Sequence, residues 1–235
     1  MTDTLTFLGH ASFKITRSSG EVLWIDPWLR QNPACPPEFH TLERADLVLI
    51  THGHEDHFDL EAVDQAAALG ATIIAPAPIR NFLNARGVHS PRVAPMNKGG
   101  NVAVHGVRVN MTLAHHHAHI DTDGGPGWFH EAVGYVLDLG QTRIYFAGDT
   151  ALFGDMRLIG ELYHPTLAIL PIGDVFTMGP VEAARAVEFL GVKQVVPFHY
   201  GDFFPTTGTP EAFKEQVNEQ VKVHVLEPGQ SLALE

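Results

Sequence analysis

Leu47-Val48-Leu49-Ile50-Thr51-His52-Gly53-His54-Glu55-Asp56-His57 sets a short apolar run directly against three histidines and Asp56 within six residues. Leu47 to Ile50 reads as a buried strand, so the ligand-type side chains emerge at a strand end, where α/β folds place their sites. Neutral imidazole and carboxylate suit zinc, manganese or iron, and a tight loop that turns residues two apart toward one point needs no long-range closure to chelate.

Three more apolar runs end in the same kind of residue. Leu113 leads into His115-His116-His117, Phe146 into Asp149 and Phe198 into His199. A tetrahedral ion takes about four ligands, so one ion would not use all these groups, whereas two would. Fifteen histidines in 235 residues supply the donors.

Around these strand ends the chain reads as β at Leu5 to Gly9, Ser12 to Thr16 and Val22 to Ile25, an antiparallel opening. Leu60 to Leu69 has helical spacing and stops at Gly70; Thr72 to Ala75 is a strand and Pro78 to Ala85 a helix. Val102 to Val104, Val107 to Leu113, Val133 to Leu139 and Ile144 to Phe146 return to β. Then Leu167 to Leu170, a helix from Pro180 to Leu190, Val195 to Phe198, a helix from Pro210 to Gln220 and a strand from Lys222 to Leu226 alternate to the end. Antiparallel runs mixed with alternating α and β predict an α+β fold of αββα layering, two packed mixed sheets with helices on the outer faces. Asp121 to Gly127, rich in Gly and Pro, is expected to be a loop. There is no fixed-period repeat, and residues 1–235 read as a single domain.

Hydrophobic residues make up 45% and charged residues 18%, enough for a sizeable core. The net charge of −12 argues against general nucleic-acid binding, which needs a surplus of Lys and Arg. The single cysteine, Cys35, excludes an internal disulfide and a thiolate-rich zinc site, and no partner in the sequence activates it as a nucleophile. With no apolar run near the ~20 residues of a membrane span and no basic stretch leading into an apolar signal, a cytoplasmic location is expected.

His-x-His-x-Asp-His after a strand, a distant His, Ala147-Gly148-Asp149-Thr150 and a late His resemble the metallo-β-lactamase superfamily over nearly the whole chain. Leu8-Gly9-His10-Ala11, Ile25-Asp26-Pro27 and Pro171-Ile172-Gly173 through Thr177-Met178-Gly179-Pro180 resemble its branch of metal-dependent hydrolases related to ascorbate-6-phosphate lactonase. The resemblance implies that His52, His54 and His116 hold one divalent ion, that Asp56, His57 and His199 hold a second, and that Asp149 bridges them. Zinc is the first choice of metal, with manganese or iron as alternatives. The implied chemistry is attack by a hydroxide held between two metal ions on a carbonyl or phosphoryl centre.

Period-two alternation from Val107, Val109 and Met111 instead points His115 and His117 inward, so the middle ligand stays open among His115, His116 and His117. The surplus histidines, with His119, either line the substrate pocket or add a proton donor. Asp56 and His10 are the candidate catalytic residues. His10 is either a turn residue or faces substrate, and Asp26 either starts a turn with Pro27 or accepts the N–H of a ligand imidazole. His40, His89, His105, His130, His164 and His224 lack ligand spacing and take no role.

The expected function is hydrolysis of an ester, lactone or phosphodiester of a small molecule, with no nucleic-acid or membrane partner and a homo-oligomer left open. A di-iron redox protein of the same fold, needing a separate electron donor, and an RNA phosphodiesterase are the alternatives. Trp128-Phe129 and Phe203-Phe204-Pro205 are apolar stretches that would cover the site or form a subunit contact.

Overall fold

The computed structural model describes residues 2–88, 93–122, 124–201 and 205–234. The first sheet starts as an antiparallel meander of β1 (Asp3–Phe7), β2 (Phe13–Thr16) and β3 (Val22–Ile25). It continues in parallel through β4 (Leu47–Leu49), β5 (Thr72–Ala75) and β6 (Val93–Pro95), with α1 (Leu60–Leu69) and α2 (Ala77–Ala85) along the crossovers.

The second sheet follows the same plan. Strands β7 (Asn101–Val104), β8 (Val107–Thr122), β9 (Gly125–Asp138) and β10 (Arg143–Phe146) are antiparallel, and β11 (Leu167–Pro171), β12 (Gln194–Phe198) and β13 (Lys222–Val223) add in parallel. Helices α3 (Met156–Tyr163), α4 (Pro180–Leu190) and α5 (Pro210–Gln216) connect them. A last strand, β14 (Ser231–Leu234), returns to pair with β1, so that among the described residues each sheet has seven strands.

Burial on both faces explains why these strands read as continuous apolar runs rather than alternating ones. In β10, Ile144 and Phe146 enter the core between the sheets while Tyr145 packs on the outer side with Met156 and Ile159 of α3. In β4, Leu47 and Leu49 face the inter-sheet core, and Val48 packs with Ala62, Val63 and Ala66 of α1. The layers are therefore helix, sheet, sheet, helix, as expected. Phe146 and Phe198, the rings just before the Asp149 and His199 loops, stack at 5.2 Å, with Phe13 of the other sheet edge-on to both. Such aromatic contacts add about 0.5–1.5 kcal/mol each beyond area burial and fix two loop origins together.

Several boundaries differ from the sequence reading. Asp121 to Gly127 is not a free loop: β8 runs on to Thr122 and β9 begins at Gly125, a long hairpin held by pairs such as Ile120–Gly127. Asp123 lies outside the described residues. Helix α5 stops at Gln216 because Val217 turns extended, and β13 keeps only Lys222–Val223, a short edge strand. Strands β6 and β14 and helix α3 carry weak sequence signals. Gly160 lowers the helix signal of α3, yet a Cβ there would lie 2.6 Å from the Leu190 carbonyl, so glycine is what lets α3 seat against the end of α4.

Candidate metal centre

The C-terminal ends of β3, β4, β10 and β12 deliver Asp26, His52, Asp149 and His199 to one place. Gly148 sets the turn before Asp149, with φ at +62° and a would-be Cβ 2.7 Å from the Val133 carbonyl, so no larger residue enters without moving the carboxylate. His10 and His199 also sit at positive φ, 53° and 58°, an uncommon backbone state for non-glycine residues that clusters at functional sites.

Two donor sets result. His52, His54 and His116 form one, with the His54 Nδ1 and His116 Nε2 atoms 3.3 Å apart. Asp56, His57 and His199, with His10, form the other. The Asp149 carboxylate lies between them: Oδ2 is 3.9 Å from His52 Nε2, 3.8 Å from His116 Nε2 and 3.1 Å from His199 Nε2, and Oδ1 is 3.4 Å from His57 Nε2.

The tautomers follow from the supporting bonds. His57 Nδ1 donates to Asp26 Oδ2 at 2.9 Å, and His52 Nδ1 donates to Thr51 Oγ1 at 2.9 Å while that hydroxyl donates to Asp26 Oδ2 at 2.6 Å. Both imidazoles thus present an unprotonated Nε2 to the interior. Among the described residues, His52 Nε2, His57 Nε2 and Asp149 Oδ1 are buried without a hydrogen-bond partner. Buried polar atoms are ordinarily satisfied, so three lone-pair donors converging in this state fit bound divalent metal.

Electrostatics agree. Burial lowers the pKa of His54 and of His10 to about 4 each, and that of His52 well below its ordinary value, which keeps these rings neutral. Burial alone would raise Asp149, but His199 and His57 outweigh it and hold its carboxyl well below the usual range. Burial likewise opposes charge on His57, but the nearby Asp149 and Asp56 carboxylates, with the hydrogen bond to Asp26, raise it well above normal when no cation is bound.

The course of strand β8 decides which of the three adjacent histidines turns toward Asp149. Its pairing with β9 jumps from Leu113–Val133 to His117–Glu131, an irregularity that re-phases the strand. Leu113 is exposed and Ala114 buried, so His116 turns inward, while His115 packs on Phe153 at 5.0 Å and His117 faces outward. The bulged segment is pinned to the Asp149 loop: the His115 N–H donates to Thr150 Oγ1 at 2.9 Å, and the Ala151 N–H donates to the His115 carbonyl at 3.2 Å.

A beta-lactamase superfamily domain matches residues 22–200. The chain belongs to the metallo-β-lactamase superfamily. It is 45% identical over 97% of its length to a protein named UPF0173 metal-dependent hydrolase from Rubrobacter xylanophilus, of which it covers 95%. The structure of Igni18, described as a novel metallo hydrolase of the archaeon Ignicoccus hospitalis, superposes with a TM-score of 0.85 at 33% identity, covering 100% of this chain and 99% of that one. CmlA, a diiron β-hydroxylase of Streptomyces venezuelae, shares the fold alone, with a TM-score of 0.77 at 16% identity over 99% of this chain and 54% of that one.

This metallo-β-lactamase superfamily chain brings together every sequence-predicted ligand: His52, His54, Asp56, His57, His116, Asp149 and His199. Of the two openings for Asp26, the structure takes the acceptor of a ligand N–H. His10 is buried and hydrogen-bonded to Asp56 rather than open to solvent. Two contributors escaped the sequence reading. Thr51 links His52 to Asp26, and His130 accepts the Gly53 N–H on Nε2 at 3.1 Å while its Nδ1 donates to the Trp128 carbonyl. Thr51 adjoins the motif and could have been read as support; His130 carries no local signal, because the contact spans the β9 arm. Trp128 and Phe129 are exposed on that arm, whereas His89, Phe203 and Phe204 lie outside the described residues.

Proposed function

We propose that this chain is a hydrolase of small-molecule esters, lactones or phosphodiesters that works with two divalent cations, one at His52, His54 and His116, the other at Asp56, His57 and His199, with Asp149 shared. At the coarser level it is a metal-dependent hydrolase of its superfamily, the description its close relatives carry. The observation that carries the finer reading is Asp149, whose carboxylate lies within 3.9 Å of imidazole nitrogens from both donor sets.

Zinc, manganese or iron bound there supplies Lewis acidity and a water acidified toward neutral pH. The chain's own residues do the rest. Asp26 and Thr51 fix the ring orientation of His57 and His52, and the apolar packing beneath the loops holds the donors in place before substrate arrives. A cavity of about 220 Å³ opens over the cluster between His54, Asp56, His116, Asp149, Phe176 and His199. A second, of about 440 Å³, shares His54 and Asp56 and extends past Trp28, Gln31 and Glu55 to His119 and Asp121. That space suits a small molecule, and Glu55 and Asp121 at its walls disfavour an RNA backbone. His119, with Nε2 3.4 Å from Asp121 Oδ1, is the surplus histidine that reaches this space and is the proton donor for the departing oxygen.

Lone, buried Cys35 suits a reducing compartment such as the cytoplasm. The redox alternative has only the shared fold behind it. Elemental analysis of untagged protein, with turnover of an aryl phosphodiester and a simple lactone, tests the proposal. Two equivalents of zinc or manganese with hydrolysis of either substrate supports it. Absence of metal uptake, or two irons with oxygen-dependent chemistry and no hydrolysis, contradicts it.

A further inference from the structure

The second donor set contains one residue more than the first. His10 lies on the turn between β1 and β2, in the opposite sheet from His199, and its Nε2 is 2.8 Å from Asp56 Oδ2. The same Asp56 oxygen faces His57 Nε2 at 3.7 Å and His199 Nε2 at 3.8 Å. The main chain of His10 is engaged as well: its carbonyl accepts the His199 N–H at 3.0 Å.

The 2.8 Å separation decides between two roles for the ring. Two donors sharing one tetrahedral ion, each about 2.0–2.1 Å from it, sit about 3.3 Å apart. At 2.8 Å the His10 nitrogen and Asp56 oxygen are about 0.5 Å inside that separation, at ordinary hydrogen-bond distance, where two bare lone pairs would repel and a proton lies between them. His10 Nε2 therefore carries the hydrogen and Asp56 accepts it.

Resting on the two-cation reading above, we infer that His10 is a positioning residue for the second cation pocket, holding Asp56 through its Nε2–H and His199 through its carbonyl. One residue thereby ties ligands from both sheets. The Trp28 ring packs against it, and the turn that carries it is hydrogen-bonded to its surroundings. The Trp28 ring stands edge-on at 5.7 Å, Asn32 Nδ2 donates to the Gly9 carbonyl at 3.1 Å, and Ser12 Oγ donates to the Asp26 carbonyl at 2.7 Å. The left-handed backbone of His10, with φ of 53°, aims ring and carbonyl at their two partners at once. In the first set His52 is braced instead by Thr51, backed by Asp26, and His116 hangs on the β8 bulge. The contacts of His10 with Asp56 and His199 fall in the second pocket, so loss of its side chain acts there.

The test is zinc titration of metal-stripped protein against a chromophoric competitor, comparing wild type with His10→Ala and His10→Gln. Both variants keep a side chain at the same strained backbone, so their difference isolates the ring nitrogen. Gln places an amide N–H close to where Nε2 sits, and an amide nitrogen cannot ligate zinc. Wild type is expected to take up two equivalents; Ala weakens one of them by about 10- to 100-fold, the range for loss of a supporting partner, while the other keeps its affinity. Gln restores most of that loss. If Ala leaves both affinities at the wild-type level, or Gln is as impaired as Ala, the positioning role is overturned while the two-cation reading stands. If wild type itself binds fewer than two equivalents, the two-cation reading fails first and takes this inference with it.

Discussion

Asp26 and His57 are both fully buried and joined by a 2.9 Å hydrogen bond from Nδ1 to Oδ2, so that the imidazole has its Nε2 alone left to face Asp149. Asp26 also accepts from the Thr51 amide at 2.7 Å and the Thr51 hydroxyl at 2.6 Å. Asp26→Ala strands three buried donors and is expected to destabilise the metal-free fold by about 3 kcal/mol or more. Asp26→Asn keeps the shape but places an amide donor where an acceptor is needed, and should weaken cation binding about 10- to 100-fold. Urea unfolding and zinc competition measure the two effects; wild-type values for both variants refute the role.

The metal-free protein should be most stable near pH 6.5. His54 and His10 have folded pKa values depressed to about 4 by burial, so below 6.5 the unfolded chain binds protons that the folded one does not, and stability falls as the pH drops toward 4. His57 is raised, so its contribution is fully present below its unfolded value near 6.5 and is lost as the pH climbs through its folded value. Thermal unfolding of stripped protein between pH 4 and 9 checks this, and a stability that rises steadily above pH 7 contradicts the His57 assignment. Bound cations should flatten the alkaline limb, because His57 is then neutral in the fold as well.

Under the proposed two-cation site, the β8 bulge gives three adjacent histidines different roles. His116→Ala should remove one equivalent of metal and lower hydrolysis by several orders of magnitude, while His115→Ala and His117→Ala retain both equivalents and stay within a few-fold of wild type. Loss of metal on changing His115 or His117 would mean that the alternation from Val107 continues unbroken.

His119 reaches the wider cavity beside Asp121 without belonging to either donor set. Its replacement by Ala should leave metal content intact and slow turnover about 100-fold for substrates with a poor leaving group, the scale of general acid catalysis, and much less for an activated aryl ester. An equal loss for both substrates would assign His119 to binding rather than to proton transfer.

Much of this was legible because burial leaves a plain mark on sequence. Runs such as Leu47 to Ile50 and Ile144 to Phe146 are apolar at every position since each strand lies between two layers, and the ligand-type residues follow at their ends. The His52 to His57 loop was readable for the opposite reason, a density of ligand types that no surface loop needs. What escaped depends on contacts far apart in the chain. The Asp121 to Gly127 stretch has turn-forming residues, yet it is drawn into a hairpin by strand pairing. Helix α3 hides behind a glycine whose purpose is the Leu190 backbone 30 residues away, and His130 supports Gly53 across 77. The phase of His116 depended on a bulge, which shifts the alternation without altering the apolar pattern that advertises it.

The central claim is that two cations share Asp149, and anomalous diffraction at the metal edge from crystals of the loaded protein tests it most directly. The account predicts two peaks, one at about 2.0–2.2 Å from His52 Nε2, His54 Nδ1 and His116 Nε2, the other at the same range from Asp56, His57 Nε2 and His199 Nε2, with an Asp149 oxygen in reach of both. A single peak at full metal loading, or density away from these donors, contradicts it.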